Sequence, residues 1–161
     1  YISQSYLLFI LERYSPKLKK QIIAPKKVYC IDQGLRRSIS VAYSKSESKA
    51  LENAVFIEIL RQINPATDAV FYYKAQRGYE VDFVILQNYK PKTLIQVAYE
   101  LEQNVIRREE RALLKAMDEF KLNKGYIIAN IDYKQAKTIG TKKVYYVPIW
   151  EFFINSRKYL T

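Results

Sequence analysis

Two stretches of the chain repeat their apolar residues at helical spacing, and the runs between them alternate. Plotted at 100° per residue, Leu51, Val55, Phe56, Ile59, Leu60 and Ile63 fill one arc, which predicts a helix over 48–63. Ile106, Leu113, Leu114, Met117 and Phe120 predict a second helix over 106–120. Between the helices, AVFYYK, YEVDFVIL and TLIQVAYE read as strands of an antiparallel meander, joined by a turn at Gly78 and a loop containing Pro91. GYIIAN and KVYYVP extend the same sheet, and Trp150, Phe152 and Phe153 read either as a cap on the core or as a contact surface. Upstream, YISQSYLLFILERYS is crowded with apolar residues and reads as a helix running into a strand that Pro16 ends. KVYCID is a short strand, and a turn at Gly34 leads into a brief helix. Residues 1–47 therefore read as an appendage to a domain over 48–161.

Two acids interrupt this pattern. Glu52 falls in the middle of the apolar arc, whereas Glu58 lies at its boundary, within reach of water. An ionised carboxylate among apolar neighbours requires a counter-charge, so Glu52 implies either a salt bridge to an Arg or Lys across the core or a metal ion. In the middle strand, alternation sends Val81, Phe83 and Ile85 to one face and Glu80, Asp82, Val84 and Leu86 to the other. In the third strand Leu94, Gln96, Ala98 and Glu100 share a face. Glu52, Asp82 and Gln96 are thus the candidates for a single catalytic and metal-binding site.

Composition narrows the chemistry. The chain has no histidine, which excludes His-containing zinc sites and the commonest general base; metal chemistry is left to carboxylates and so to magnesium or manganese. The formal charge is +11, and residues 1–49 carry ten Lys or Arg against three acids. Within that segment Lys17, Lys19, Lys20, Lys26, Lys27, Arg36 and Arg37 are candidate nucleic-acid contacts, DNA phosphates in particular; the alternative is a lysine-rich surface that serves solubility. The single cysteine, Cys30, sits in a strand and cannot form an intramolecular disulfide, which suits a reducing cytoplasm. No run is long and apolar enough for a membrane span, and no secretory leader is present. A chain of 161 residues beginning at Tyr1 reads as about one domain of a longer protein. Its four glycines, Gly34, Gly78, Gly125 and Gly140, stand too far apart for a phosphate-binding loop, so any ATPase lies upstream.

The order helix, three strands, helix, strand resembles the core of PD-(D/E)XK nucleases. More specifically, LENAVFIEIL, YYKAQRGYEVDFVI, LIQVAYEL, RREERALLKAMDEF and KVYYVPIWEFF resemble the domain of unknown function that follows the ATPase module in many archaeal and bacterial AAA+ type proteins. The upstream run YLLFILERYSPKLKKQIIAPKKVYCIDQGLRRSIS is similar to the end of that family's winged helix, so the likeness covers nearly the whole chain. It implies an α/β fold of the restriction endonuclease-like kind, with a central mixed sheet flanked by helices. It also implies that Glu52 and Asp82, with Glu80 beside them, face a divalent metal, Mg2+ or Mn2+. Gln96 and Ala98 stand where the E-x-K motif has its glutamate and lysine, and an alanine cannot activate water or stabilise a pentavalent phosphate.

The expected function is therefore binding of DNA or of a partner, in a degenerate nuclease-like module attached to an upstream ATPase domain of the same chain, with ATP held only there. The alternative is a magnesium-dependent DNA nuclease whose site is rearranged around Glu100, Lys74, Arg108 or Arg111. The run Arg107, Arg108, Glu109, Glu110, Arg111 reads otherwise as a solvated mixed-charge helix start.

Overall fold

The computed structural model describes residues 6–39, 46–75, 78–100 and 102–160. Its elements run β1 (Leu8–Leu11), α1 (Leu18–Ile23), β2 (Lys27–Cys30), α2 (Gln33–Ile39), α3 (Ser46–Gln62), β3 (Asp68–Lys74), β4 (Glu80–Gln87), β5 (Lys90–Ala98) and α4 (Gln103–Phe120). Then follow β6 (Lys124–Ala129), β7 (Gln135–Ile139), β8 (Lys142–Pro148), α5 (Ile149–Ile154) and α6 (Arg157–Leu160).

Six strands form one mixed sheet in the order β3-β4-β5-β6-β8-β7. The meander β3-β4-β5 is antiparallel, as its alternation predicts; β5, β6 and β8 are parallel, and β7 closes the edge antiparallel to β8. Strand β7 was not anticipated, because QAKTI is mostly exposed and carries little apolar signal. The β4–β5 connection is a two-residue turn, with Asn88 and Tyr89 at φ 49° and 63°. Pro91 accordingly lies inside β5, opposite Leu86 at a register shift, and not in the loop.

The two faces of the sheet are covered by different helices. Leu51, Val55, Phe56 and Ile59 of α3 pack on Phe83, Ile85, Ile95, Val97 and Ile128. Leu113, Ala116 and Met117 of α4 pack on Val84, Leu94, Ala98, Ile127 and Val144. Gly125 permits this second contact, since a Cβ there would meet the Leu113 side chain at 3.0 Å. The parallel strands are buried on both faces and read as near-continuous apolar runs for that reason.

Outside the sheet, β1 and β2 form an antiparallel ribbon, with Phe9 opposite Tyr29 and Leu11 opposite Lys27. Residues 8–11 are strand, as expected for the second half of that run; residues 1–5, where the helical part was expected to begin, lie outside the described residues. The ribbon is no loose appendage: Leu11 and Tyr29 are buried in the α3 core, while Ile10 and Val28 point outward. At the other end, only Phe152 of the expected aromatic cap is buried. Trp150 is 55% exposed and Phe153 37%, because a six-residue helix turns a single face to the sheet.

Candidate functional site

A β-bulge builds the site. Phe71 pairs with Val84 and Tyr73 with Val81, so Tyr72 alone stands opposite both Asp82 and Phe83. The extra residue breaks the two-residue alternation, which corrects the expected facing. Phe83 remains in the α3 core, yet Asp82 also turns to that side and Val81 joins the α4 core. Beyond the last β4–β5 pair on this side, Phe83 with Ile95, the Asp82 carboxylate takes over a ladder position: its Oδ2 accepts the Val97 N–H at 3.0 Å.

The counter-charge comes from β2. Lys27 Nζ lies 3.0 Å from Glu52 Oε1, 2.8 Å from Glu80 Oε1 and 3.0 Å from Asp82 Oδ1. The three N–H donors of the ammonium thus have three carboxylate acceptors. Tyr29, on the same face of β2, donates its hydroxyl to Glu52 Oε1 at 2.7 Å. Of the two readings open for Glu52, the structure contains the salt bridge across the core. It also corrects the role expected for Lys27, which is a partner of the buried Asp82 and the half-buried Glu52 and Glu80 and not an exposed phosphate contact.

Burial alone would lower the Lys27 ammonium, but Asp82, Glu52 and Glu80 outweigh it and hold the group above the ordinary lysine value. Burial raises Asp82, Glu52 adds to the effect, and Lys27 opposes it, leaving the carboxyl at about 7. Burial, reinforced by Glu52, keeps the Tyr29 phenol protonated well above its usual range.

The position of Lys27 is set by an amide clamp. Asn53, one residue along α3 from Glu52, accepts the Cys30 N–H at 2.8 Å and donates to the Cys30 carbonyl at 2.8 Å. A one-residue slip of β2 would exchange Lys27 for Val28 at the acids, and the clamp pins the register that prevents it.

Gln96 does not join this cluster. Its Oε1 accepts the Asp82 N–H at 3.1 Å while its amide nitrogen donates to Glu109 on α4, so the side chain serves the opposite face of the sheet. Ala98 packs in the α4 core on that face as well. Glu109 and Glu110 are consequently buried, contrary to a solvated helix start. Arg108 pairs with Glu109 at 2.6 Å, and Glu110 holds Lys137 at 2.9 Å and the Tyr146 hydroxyl. Glu58 is buried too, bound by Ser156 at 2.7 Å, because the chain preceding α6 covers that flank of α3.

Of the expected substitutes for the missing lysine, Lys74 is 4.0 Å from Glu80 and half exposed, Arg111 lies against Tyr79, and Glu100 is exposed. Among the basic candidates, Lys17, Lys19 and Lys20 are exposed on and just before α1, and Lys26 pairs with Glu12 at 2.6 Å. The side chains of Arg36 and Arg37 lie outside the described residues.

A magnesium ion takes oxygen ligands at about 2.0–2.1 Å in octahedral geometry. The point shared by Glu52, Glu80 and Asp82 is held by the Lys27 ammonium, and among the described residues no group of three His, Cys, Asp or Glu is arranged to hold a metal ion. With Lys27 in place, the residues present do not fit a divalent cation.

The family model for a domain of unknown function, DUF4143, matches residues 47–152, well over half of the chain. The chain belongs to the DUF4143 family. An uncharacterized protein of Methanocaldococcus jannaschii is 36% identical over 160 residues, covering 96% of this chain and 35% of its own length. An uncharacterized protein of Haemophilus influenzae is 26% identical over 155 residues, covering 91% of this chain and 34% of its own. This DUF4143 chain thus spans about a third of the length of the curated relatives it matches. No solved structure matches it. Within the DUF4143 match lie Glu52, Glu80, Asp82 and Gln96, while Lys27 and Tyr29 fall before it. Among the described residues no helix is long and apolar enough to cross a membrane.

Proposed function

We propose that this chain is a PD-(D/E)XK nuclease-like module that binds nucleic acid without cleaving it, in the service of an ATP-binding AAA+ type module elsewhere in a longer protein. One observation carries the reading. The two acids that would bind metal in such a nuclease, Glu52 and Asp82, are each paired with Lys27 through one oxygen, whereas the E-x-K positions hold Gln96 and Ala98 turned toward α4. The acids, the sheet order and the helix on each face support the nuclease-like ancestry. The net charge of +11 and the exposed run Lys17, Lys19, Lys20 support a phosphate-bearing partner.

A second reading, magnesium-dependent DNA cleavage, draws on the same lysine, which brings the missing residue type to the acids from another strand. Fluorescence anisotropy with a short DNA duplex, with and without Mg2+, separates the two. Binding is expected to weaken steeply with salt, and Lys17, Lys19 and Lys20 replaced by alanine should reduce the log–log slope by roughly 2 to 3, at about 0.9 per phosphate contact. The duplex should remain intact. Cleavage that requires Mg2+ and is lost in Asp82→Ala would establish the second reading, and absence of binding at low salt would leave a protein partner.

A further inference from the structure

Glu52, Glu80 and Asp82 come from α3 and β4, and they converge on a point that neither element fills. The residue that fills it belongs to a ribbon outside the six-stranded sheet. We propose that the Lys27 ammonium is a tethered replacement for a divalent cation: it occupies the cation position of the acid cluster, offsets part of its negative charge and keeps metal ions out. The inference rests on the nuclease-like reading above for the ancestry of the cluster, but its chemistry stands on the distances alone.

Each part of the geometry fits a permanent cation. The three contacts of 2.8–3.0 Å place all three carboxylates within ion-pair distance of the ammonium, and those to Glu52 and Asp82 are hydrogen bonds. The acids are further saturated: Tyr29 donates to Glu52, and the Val97 N–H donates to Asp82 Oδ2. Lys27 reaches the acids along the face of β2 that also buries Tyr29, and its ammonium lies 5.6 Å from the centre of the Tyr72 ring. A metal ion would have to expel a cation that is covalently attached to the fold, and ligands at about 2.0–2.1 Å leave no room for both. The tether also makes the charge independent of free metal concentration, since no bimolecular association is needed.

The consequence is that removing one charge should create a metal site. Mn2+ titration followed by electron paramagnetic resonance, on the full chain and without nucleic acid, tests it. Wild type should take up Mn2+ only weakly and without defined stoichiometry. Lys27→Met, similar in length and uncharged, should bind one Mn2+ at least about tenfold more tightly. Its melting temperature should rise with Mn2+ but not with sodium chloride of equal ionic strength, and Asp82→Ala added to Lys27→Met should abolish both effects. Lys27→Gln, which keeps two donors, is the second variant should the methionine fail to fold. One tight Mn2+ per wild-type chain, lost in Asp82→Ala, overturns the proposal; so does a folded Lys27→Met or Lys27→Gln that gains no Mn2+ site. If neither variant folds, the wild-type titration decides. A protein that binds DNA and Mn2+ equally well would sink this inference and leave the binding reading intact. One that ignores DNA while Lys27→Met gains a metal would do the reverse.

Discussion

Replacing Asn53 by alanine should cost more stability than any other single polar substitution on α3, for a reason that can be counted. Its side chain satisfies both backbone groups of Cys30, each at 2.8 Å, and both residues are buried, 3% and 5% exposed. Alanine leaves an N–H and a carbonyl without partners, at about 1–3 kcal/mol each. The better helix propensity of alanine returns roughly 0.6 kcal/mol, and water entering the vacated space softens the loss. A net destabilisation of about 2–4 kcal/mol is expected, or roughly 4–16 °C in melting temperature for a domain of this size. Urea denaturation followed by circular dichroism measures the first quantity. Labelling of the Cys30 thiol by a disulfide reagent reports whether β2 lifts off α3 before the rest unfolds. Asn53→Asp, which keeps the acceptor for the Cys30 N–H but sets a carboxylate against its carbonyl, should be at least as damaging. A loss below about 1 kcal/mol with unchanged thiol labelling would refute the claim that this amide pins the register of β2.

Two further outcomes follow from the site. Because the folded Asp82 carboxyl, at about 7, lies above its ordinary value of 3.8, the native state binds the extra proton; its contribution is complete below pH 3.8 and is lost as pH rises through 7. In urea titrations from pH 4 to 8, wild type should therefore lose stability relative to Asp82→Asn as pH rises, and a gain over that interval would contradict the assignment. Gln96→Glu should not restore a metal site but should destabilise the fold by about 2–4 kcal/mol, since it sets a second carboxylate against the Glu109 oxygen that the Gln96 amide now serves; an unchanged urea midpoint would show that Arg108, the other partner of Glu109, suffices for both carboxylates.

The strong periodicities were legible from sequence alone. Helices α3 and α4, the meander and strands β6 and β8 carry apolar residues at periods of 3.6 or 2, or in unbroken runs, and the structure contains all of them. Glu52 and Asp82 were legible as acids in apolar company. The facing of Asp82 was not, because a single extra residue at a bulge inverts the parity of everything before it while leaving composition untouched. Lys27 was misread for a related reason. A lysine in a basic segment is ordinarily solvated, and its burial depends on acids 25 and 55 positions away. Two signals pointed to it: Lys27 and Tyr29 share one face of a short strand, and two acids set among apolar residues, Glu52 and Asp82, lacked a cation. Glu109 and Glu110 were hidden by their charged neighbours, since their partners Gln96, Tyr146 and Lys137 come from elsewhere in the chain.

The position of β2 has a consequence for where this module can be cut. The family match begins at residue 47 and ends at 152, but the chemical unit is longer at both ends. A fragment trimmed to those limits would lose Lys27, Tyr29 and Leu11 from one flank of α3, and Ser156, Tyr159 and Leu160 from the other. It would bare the stacked Phe56 ring and leave three carboxylates facing each other without their cation. The family match therefore outlines less than the packed unit, which includes the ribbon that brings a cation to the three acids. Assays on the trimmed fragment would describe a different molecule, one with apolar side chains of α3 newly exposed.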